Sequence, residues 1–199
     1  MKQVYLDNAA TTPILPEVIN VITDAMNTVY GNPSSIHQIG RKAKSLVETA
    51  RKNIAKHFNV TASEIFFTAG GSEADNLILR NAVTNLGVTT IISSKIEHHA
   101  VLHTIENLEK NFEIDVKWVD LDKNGNIDYQ HLEKLLKQDN SRKLVSLMYV
   151  NNESGVIHDL KKIKENLGNN VLLHSDAVQA LGKIKLEFND LNLDAMSIS

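Results

Sequence analysis

Ile65-Phe66-Phe67-Thr68-Ala69-Gly70-Gly71-Ser72-Glu73-Ala74-Asp75-Asn76 carries a short apolar run through two glycines into a segment with helical spacing. A strand-like run that gives way to a helical period across a glycine turn is the building unit of parallel α/β sheets. The unit recurs along the chain. Apolar or β-branched runs at Ile65 to Thr68, Thr89 to Ser93, Ile114 to Val119, Leu144 to Val150, Val171 to His174 and Ala195 to Ile198 read as strands. Segments at Pro16 to Tyr30, Ile39 to Phe58, Ser72 to Leu86, Ala100 to Lys110, Tyr129 to Lys137 and Leu160 to Leu167 read as helices between them. This alternation predicts an α/β fold, a mainly parallel sheet sandwiched by helices, with one domain as the default. The last run, Asp194 to Ser199, has no following helix to cover it, so the reading expects an incomplete domain.

Bulk properties narrow the function classes. With 42% hydrophobic and 23% charged residues in 199, the chain can bury a substantial core. A net charge of -3 with mixed signs offers no electrostatic reason to expect nucleic acid or an anionic membrane surface. No apolar run approaches the roughly 20 residues of a membrane helix. Met1-Lys2-Gln3-Val4 lacks a signal-peptide pattern, and the expected location is the cytoplasm. The absence of cysteine removes disulfides, thiolate metal sites and any thiol nucleophile from this chain.

In open parallel sheets, ligands collect beyond the carboxyl ends of the strands, so the polar residues just after each predicted strand matter most. Gly70, Gly71 and Ser72 form a glycine turn entering a helix that Ser72 can cap. Its exposed amides suit a phosphate, although the same turn can be only a turn. Glu97-His98-His99 follows the second run, placing the His98 imidazole where it can stack on a planar ring. Asn151-Asn152-Glu153-Ser154-Gly155 follows Val150 with amide groups able to donate to a carboxylate or a ring oxygen. His174-Ser175-Asp176-Ala177-Val178-Gln179 puts a carboxylate after an apolar strand. A carboxylate against a pyridine nitrogen keeps that nitrogen protonated and the ring electron-withdrawing, while a helix cap is the local alternative for Asp176. Gln179 is placed to reach a phenolic oxygen on the same ring. A planar, phosphorylated, nitrogen-containing ligand uses all four places. A nicotinamide dinucleotide fits worse, since the glycine fingerprint and the ribose-binding acid are missing.

Two metal readings are rejected. His99 and His103 have the spacing of a helical zinc pair but no third ligand nearby. Asp120 to Asp128 follows the start of a calcium loop, but the twelfth position is His131 and a strand precedes it. A polar, hairpin-like connection is the expectation there.

Tyr5-Leu6-Asp7-Asn8-Ala9-Ala10-Thr11-Thr12-Pro13, Gly31-Asn32-Pro33-Ser34-Ser35, Thr68 to Asn76, Glu97-His98-His99-Ala100-Val101, Val150 to Gly155 and Ser175-Asp176-Ala177-Val178-Gln179 resemble, in order and spacing, the cysteine desulfurases of the class V aminotransferase superfamily. The asparagine pair is closer to the NifS/IscS-like group than to the SufS-like group. The resemblance runs from Tyr5 to Ser199 and implies the large domain of a fold type I pyridoxal-phosphate (PLP) enzyme over residues 14–199. Residues 1–13 would be associated with the small domain of the parent protein, and the C-terminal small domain would be absent. It implies Gly71, Ser72 and Ser199 at the cofactor phosphate, His98 on the ring and in proton transfer, Asp176 at the pyridine nitrogen and Gln179 at the phenolic oxygen. Asn152 would lie near that oxygen and the substrate carboxylate, with Asn32 and Asp7 to Thr12 at the rim. The family's Schiff-base lysine, thiol nucleophile and carboxylate-binding arginine match no position here, and neither Lys183 nor Lys185 fills the lysine's place.

The implied reaction is removal of sulfur from L-cysteine, giving alanine and an enzyme-bound persulfide. The implied partners are a sulfur-acceptor scaffold or tRNA-thiolation enzyme and a second copy in a homodimer. The fragment alone is expected to be inactive. A selenocysteine lyase or another class V enzyme shares these cofactor motifs, and a non-catalytic dimerisation module is a reading of a different class.

Overall fold

The computed structural model describes residues 4–185 and 188–199, so Met1 to Gln3, at the start read above, lie outside the described residues. The chain divides into two units, 1–66 and 67–199.

In the first unit, helix α1 (Pro16–Thr28) starts on proline, whose missing N–H falls where a helix has no acceptor for it. Helix α2 (Gln38–Phe58) is capped by the His37 ring, which accepts the Gly40 N–H, and ends at Asn59, whose φ of 53° turns the chain left-handed. Between the helices the Asn32 side chain accepts the Ser34 N–H at 2.9 Å, and its carbonyl accepts that of Ser35 at 3.0 Å. Gly40 permits this turn, because a Cβ there would meet the Ser35 carbonyl oxygen at 2.5 Å and that of Asn32 at 2.7 Å. The expected strand at Ile65 to Thr68 does not form: the run is extended, but no ladder joins it to another strand among the described residues. Extended propensity alone does not make a strand, whose backbone groups need a hydrogen-bonding neighbour.

The second unit is the expected α/β sandwich. Strands β1 (Thr90–Ser94), β2 (Asp115–Val119), β3 (Lys143–Ser146), β4 (Val171–Asp176) and β5 (Ala195–Ser197) form a fully parallel sheet in the order β2-β1-β3-β4-β5. The run expected to reach Val150 leaves the ladder after Ser146, although the Leu147 and Tyr149 amides still donate to the carbonyls of His174 and Asp176. Helices α3 (Gly71–Thr84), α4 (His99–Asn111), α5 (Tyr129–Lys137), α6 (Leu160–Glu165) and the short α7 (Phe188–Leu191), which was not anticipated, cover the sheet.

Strand alternation sorts the core into two layers. Ile91 and Leu144 pack with Leu79 and Ala82 of α3 and Val101, Ile105 and Leu108 of α4. Their neighbours Ile92, Val145 and Leu173 pack on the opposite face with Leu132 of α5, Leu160 and Ile163 of α6, and Leu191 of α7. Val101, Ile105 and Leu108 recur at helical spacing and are fully buried, which fixes α4 on its face of the sheet. The Asp120 to Asp128 segment is the expected hairpin-like connection: Leu121 pairs antiparallel with Ile127, and Asp122 accepts the amides of Asn124 and Asn126. Among the described residues no helix is long and apolar enough to cross a membrane.

Candidate active site

The strand order changes direction between β1 and β3, and in sheets of this order that switch point opens the crevice where ligands bind. Glu97 lies in it. Its carboxylate accepts the Ser94 hydroxyl at 2.7 Å and, across the crevice, the Met148 N–H at 3.2 Å. Next to it His98 caps α4, its Nδ1 accepting the Ala100 N–H at 3.1 Å, with the ring exposed. That bond leaves Nε2 as the ring nitrogen available to a ligand.

Asp176 ends β4 at 6% exposure, and its Oδ1 accepts the Val178 N–H at 2.9 Å. Burial raises its pKa, and that amide bond and the nearby His98 oppose the rise. Val178 then leads to the glycine turn. A Cβ at Gly71 would sit 2.7 Å from Val178 Cγ2 and 4.0 Å from the Ser199 Cβ, so Gly71, Val178 and Ser199 meet at one point. Gly70 is the N-cap of α3, which corrects the expectation that Ser72 caps it. Ser72 is exposed within the first turn. Amides of a first turn have no acceptor within their own helix and attract anions.

The structure thus brings Gly71, Ser199 and the segment of Asp176 together, with His98 close enough to Asp176 to affect its charge. Gln179 follows three residues after Asp176, and its Oε1 accepts from Lys183. Asn152 is half-buried in the turn after β3, which is held by its neighbour: the Asn151 Oδ1 accepts the amides of Glu153 and Ser154, and its amide donates to the Ile96 carbonyl. Asn32 and Asp7 to Thr12 belong to the first unit and are exposed there.

Sequence reasoning missed two buried acids, Asp75 behind the site and Glu97 in the crevice. Asp75 on α3 is 1% exposed and Glu97 is 5% exposed. Burial, reinforced by the nearby Asp176, pushes the Asp75 carboxyl up to about 7, and burial pushes Glu97 up to about 8. His174, fully buried on β4, is pushed down to about 4 by burial and stays neutral. A signal was present: Asp75 shares the buried stripe of α3 with Leu79 and Ala82, at i, i+4 and i+7.

The residues fit a PLP-like ligand on structural grounds. A buried carboxylate whose charged form is disfavoured gains from a cationic ring nitrogen, and a Cβ at Gly71 would crowd the turn whose amides suit an anion. Gly71→Ala is therefore expected to cost about 1–3 kcal/mol of stability through overpacking on Val178 and to weaken binding of PLP. Chemical unfolding and a binding titration check this, and Val178→Ala in the same chain should restore most of the stability. No rescue by the second change would place the strain elsewhere.

The aminotransferase class-V family model matches residues 4–199. The chain is 41% identical over 202 residues to cysteine desulfurase IscS of Methanosarcina thermophila, covering 100% of this chain and 49% of that protein. A solved NifS-like protein superposes with a TM-score of 0.91 at 38% identity, over 100% of this chain and 55% of its own. The solved structure of SspA in complex with cysteine superposes with a TM-score of 0.89 at 31% identity, over 98% of this chain and 56% of its own. This chain spans about half the length of the relatives it matches.

Proposed function

Because the chain belongs to the aminotransferase class-V family, we propose that it is the cofactor-binding half of a PLP-dependent cysteine desulfurase. The observation that carries this reading is the convergence on one strand end of a buried carboxylate, Asp176, and an anion-attracting glycine turn packed against Val178, two residues further on. In this reading Gly71, Ser72 and Ser199 hold the phosphate, His98 stacks on the ring, Asp176 faces the ring nitrogen, and Gln179 and Asn152 face the phenolic oxygen. Asn152 serves the carboxylate of L-cysteine. Bound PLP supplies an electron sink for the bonds around the substrate α-carbon. The protein's own contributions are positional and electrostatic. Asp176 holds negative charge where the ring nitrogen is protonated, and the His98 Nε2, opposite the nitrogen tied to Ala100, holds or moves a proton. Residues 1–13 belong with a smaller domain in this reading, and the working form is a cytoplasmic homodimer that passes sulfur to an acceptor protein.

The test is product analysis. The intact enzyme is expected to convert L-cysteine to alanine with one sulfur left on the protein per turnover. The 199-residue chain, which has no cysteine, is expected to carry no protein-bound sulfur under the same conditions. Failure to form alanine from cysteine, or a preference of about 100-fold or more for selenocysteine in kcat/KM, would reject the desulfurase reading.

A further inference from the structure

A line of buried polar groups runs from Asp75 on α3 across the sheet behind Asp176. Ser197 of β5 lies beside the Asp75 carboxyl, where its hydroxyl favours the charged form, and that hydroxyl is 3.1 Å from the His174 Nε2. His174 Nδ1 lies 2.9 Å from the Ser146 hydroxyl on β3. Ser146, His174 and Ser197 are at most 1% exposed, and Ser146 and His174 are partners in the β3–β4 register. Asp176 and Ser197 are partners in the next ladder, and His174 and Asp176, two apart on β4, face the same side. One oxygen of Asp75, Oδ1, is buried without a hydrogen bond and lies 3.6 Å from the His174 Nε2.

We propose that Asp75 is a positioning residue for Asp176: its proton is registered along the line Asp75–Ser197–His174–Ser146, so that the tautomer of His174 follows the charge on the carboxyl group behind Asp176. The hydrogen-bond inventory permits two directions along the line. With Asp75 ionised, Ser146 donates to His174 Nδ1, His174 Nε2–H donates to Ser197, and Ser197 donates to Asp75. With Asp75 protonated, Asp75 donates to Ser197, Ser197 donates to Nε2, and Nδ1–H donates to Ser146. The two states differ by one proton, located on Asp75. His174 is neutral in both, because burial holds its pKa far below neutrality. The other titratable groups around Asp75 are Asp176 at the end of β4 and Glu97 beyond β1, with His98 at the start of α4 near Asp176. The line thereby determines whether one or two negative charges lie behind the ring nitrogen, a consequence that rests on the proposed placement of that nitrogen at Asp176.

Ring nitrogen-15 spectra of His174 in the 199-residue chain test the proposal. Between about pH 5.5 and about pH 8.5 the ring is expected to pass from mainly Nδ1–H to mainly Nε2–H while remaining neutral. Asp75→Asn carries no titrating proton and is expected to hold one tautomer throughout. Ser197→Ala, which leaves Asp75 in place but cuts the line, is expected to abolish the pH-dependent change. A tautomer that never changes in the parent chain overturns the proposal, as does a change that persists in either variant. Pyridoxine 5′-phosphate, which cannot form a covalent link to an amine, is then added to the parent chain. It is expected to lower the pH midpoint of the tautomer change by placing positive charge beside Asp176. Binding without a shift of the midpoint overturns the link to Asp176. Absence of binding, read by calorimetry, rejects the cofactor reading and leaves the tautomer result to stand by itself.

Discussion

Asp176→Asn in the intact enzyme is expected to lower kcat by about 100-fold or more while the fraction of bound cofactor changes far less. Asparagine keeps the shape of the side chain and an oxygen able to accept the Val178 N–H, so the strand end and the neighbouring Gly71 contact survive. The full negative charge is what disappears. That charge is unfavourable in the free protein, because Asp176 is 6% exposed and burial raises its pKa. A buried charge is retained at such a cost where a partner of opposite sign repays it, and a protonated ring nitrogen is such a partner. Its effect is greatest where negative charge accumulates on the ring during reaction, so the loss falls on turnover more than on affinity. The contacts assigned to the phosphate, at Gly71, Ser72 and Ser199, are untouched by the substitution. Steady-state turnover and cofactor absorbance after gel filtration separate the two effects. Turnover within about threefold of the parent would remove Asp176 from the chemistry.

The parallel sandwich was legible because two periods dominate the second unit. Val101, Ile105 and Leu108 repeat at helical spacing, and the adjacent pairs Ile91/Ile92 and Leu144/Val145 are buried on both faces, as strands between two helical layers require. Ladder ends were not legible. The continuous apolar run from Leu144 marks a buried segment but says nothing of where hydrogen bonding stops, which was after Ser146. Ile65 to Thr68 has strand composition, but a ladder depends on a neighbouring strand that local composition cannot reveal. At the site, the rule that ligands sit beyond strand ends singled out His98, Asn152 and Asp176, whose side-chain chemistry suggested ring stacking, amide donation and a charge at a ring nitrogen, and the family resemblance implied the same roles. Asp75 and His174 escaped because they lie behind the crevice, and Glu97, although it follows β1 directly, because nothing local marks it as buried. Titratable residues are mostly exposed, and only the helical spacing of Asp75 from Leu79 and Ala82 marks it as an exception.

Those buried acids also predict how stability varies with pH. Asp75 in the folded chain keeps its proton up to about 7 against an ordinary value of 3.8, and Glu97 keeps its proton up to about 8 against 4.5. Between those values the folded state binds more protons than the unfolded one, so each group stabilises the fold fully at low pH and loses that contribution as the pH rises. Asp176, raised in the same sense, adds to the trend. His174 works in the opposite direction. Its folded pKa of about 4 lies below 6.5, so the fold loses stability as the pH falls through that interval, and the lowered His158 acts likewise. Below 6.5 the two trends partly cancel. Above 6.5 both histidines are neutral in either state and the acids alone remain, so stability is expected to fall from pH 6.5 to pH 8 by a few kcal/mol. Glu97→Gln keeps an oxygen for the Ser94 hydroxyl and the Met148 N–H but has no proton to lose, and it should flatten the upper part of this decline. Urea unfolding of the parent chain and the variant across that interval decides the matter. A parent whose unfolding free energy rises toward pH 8, or a variant with an unchanged slope, would show that Glu97 is ionised in the folded chain at neutral pH.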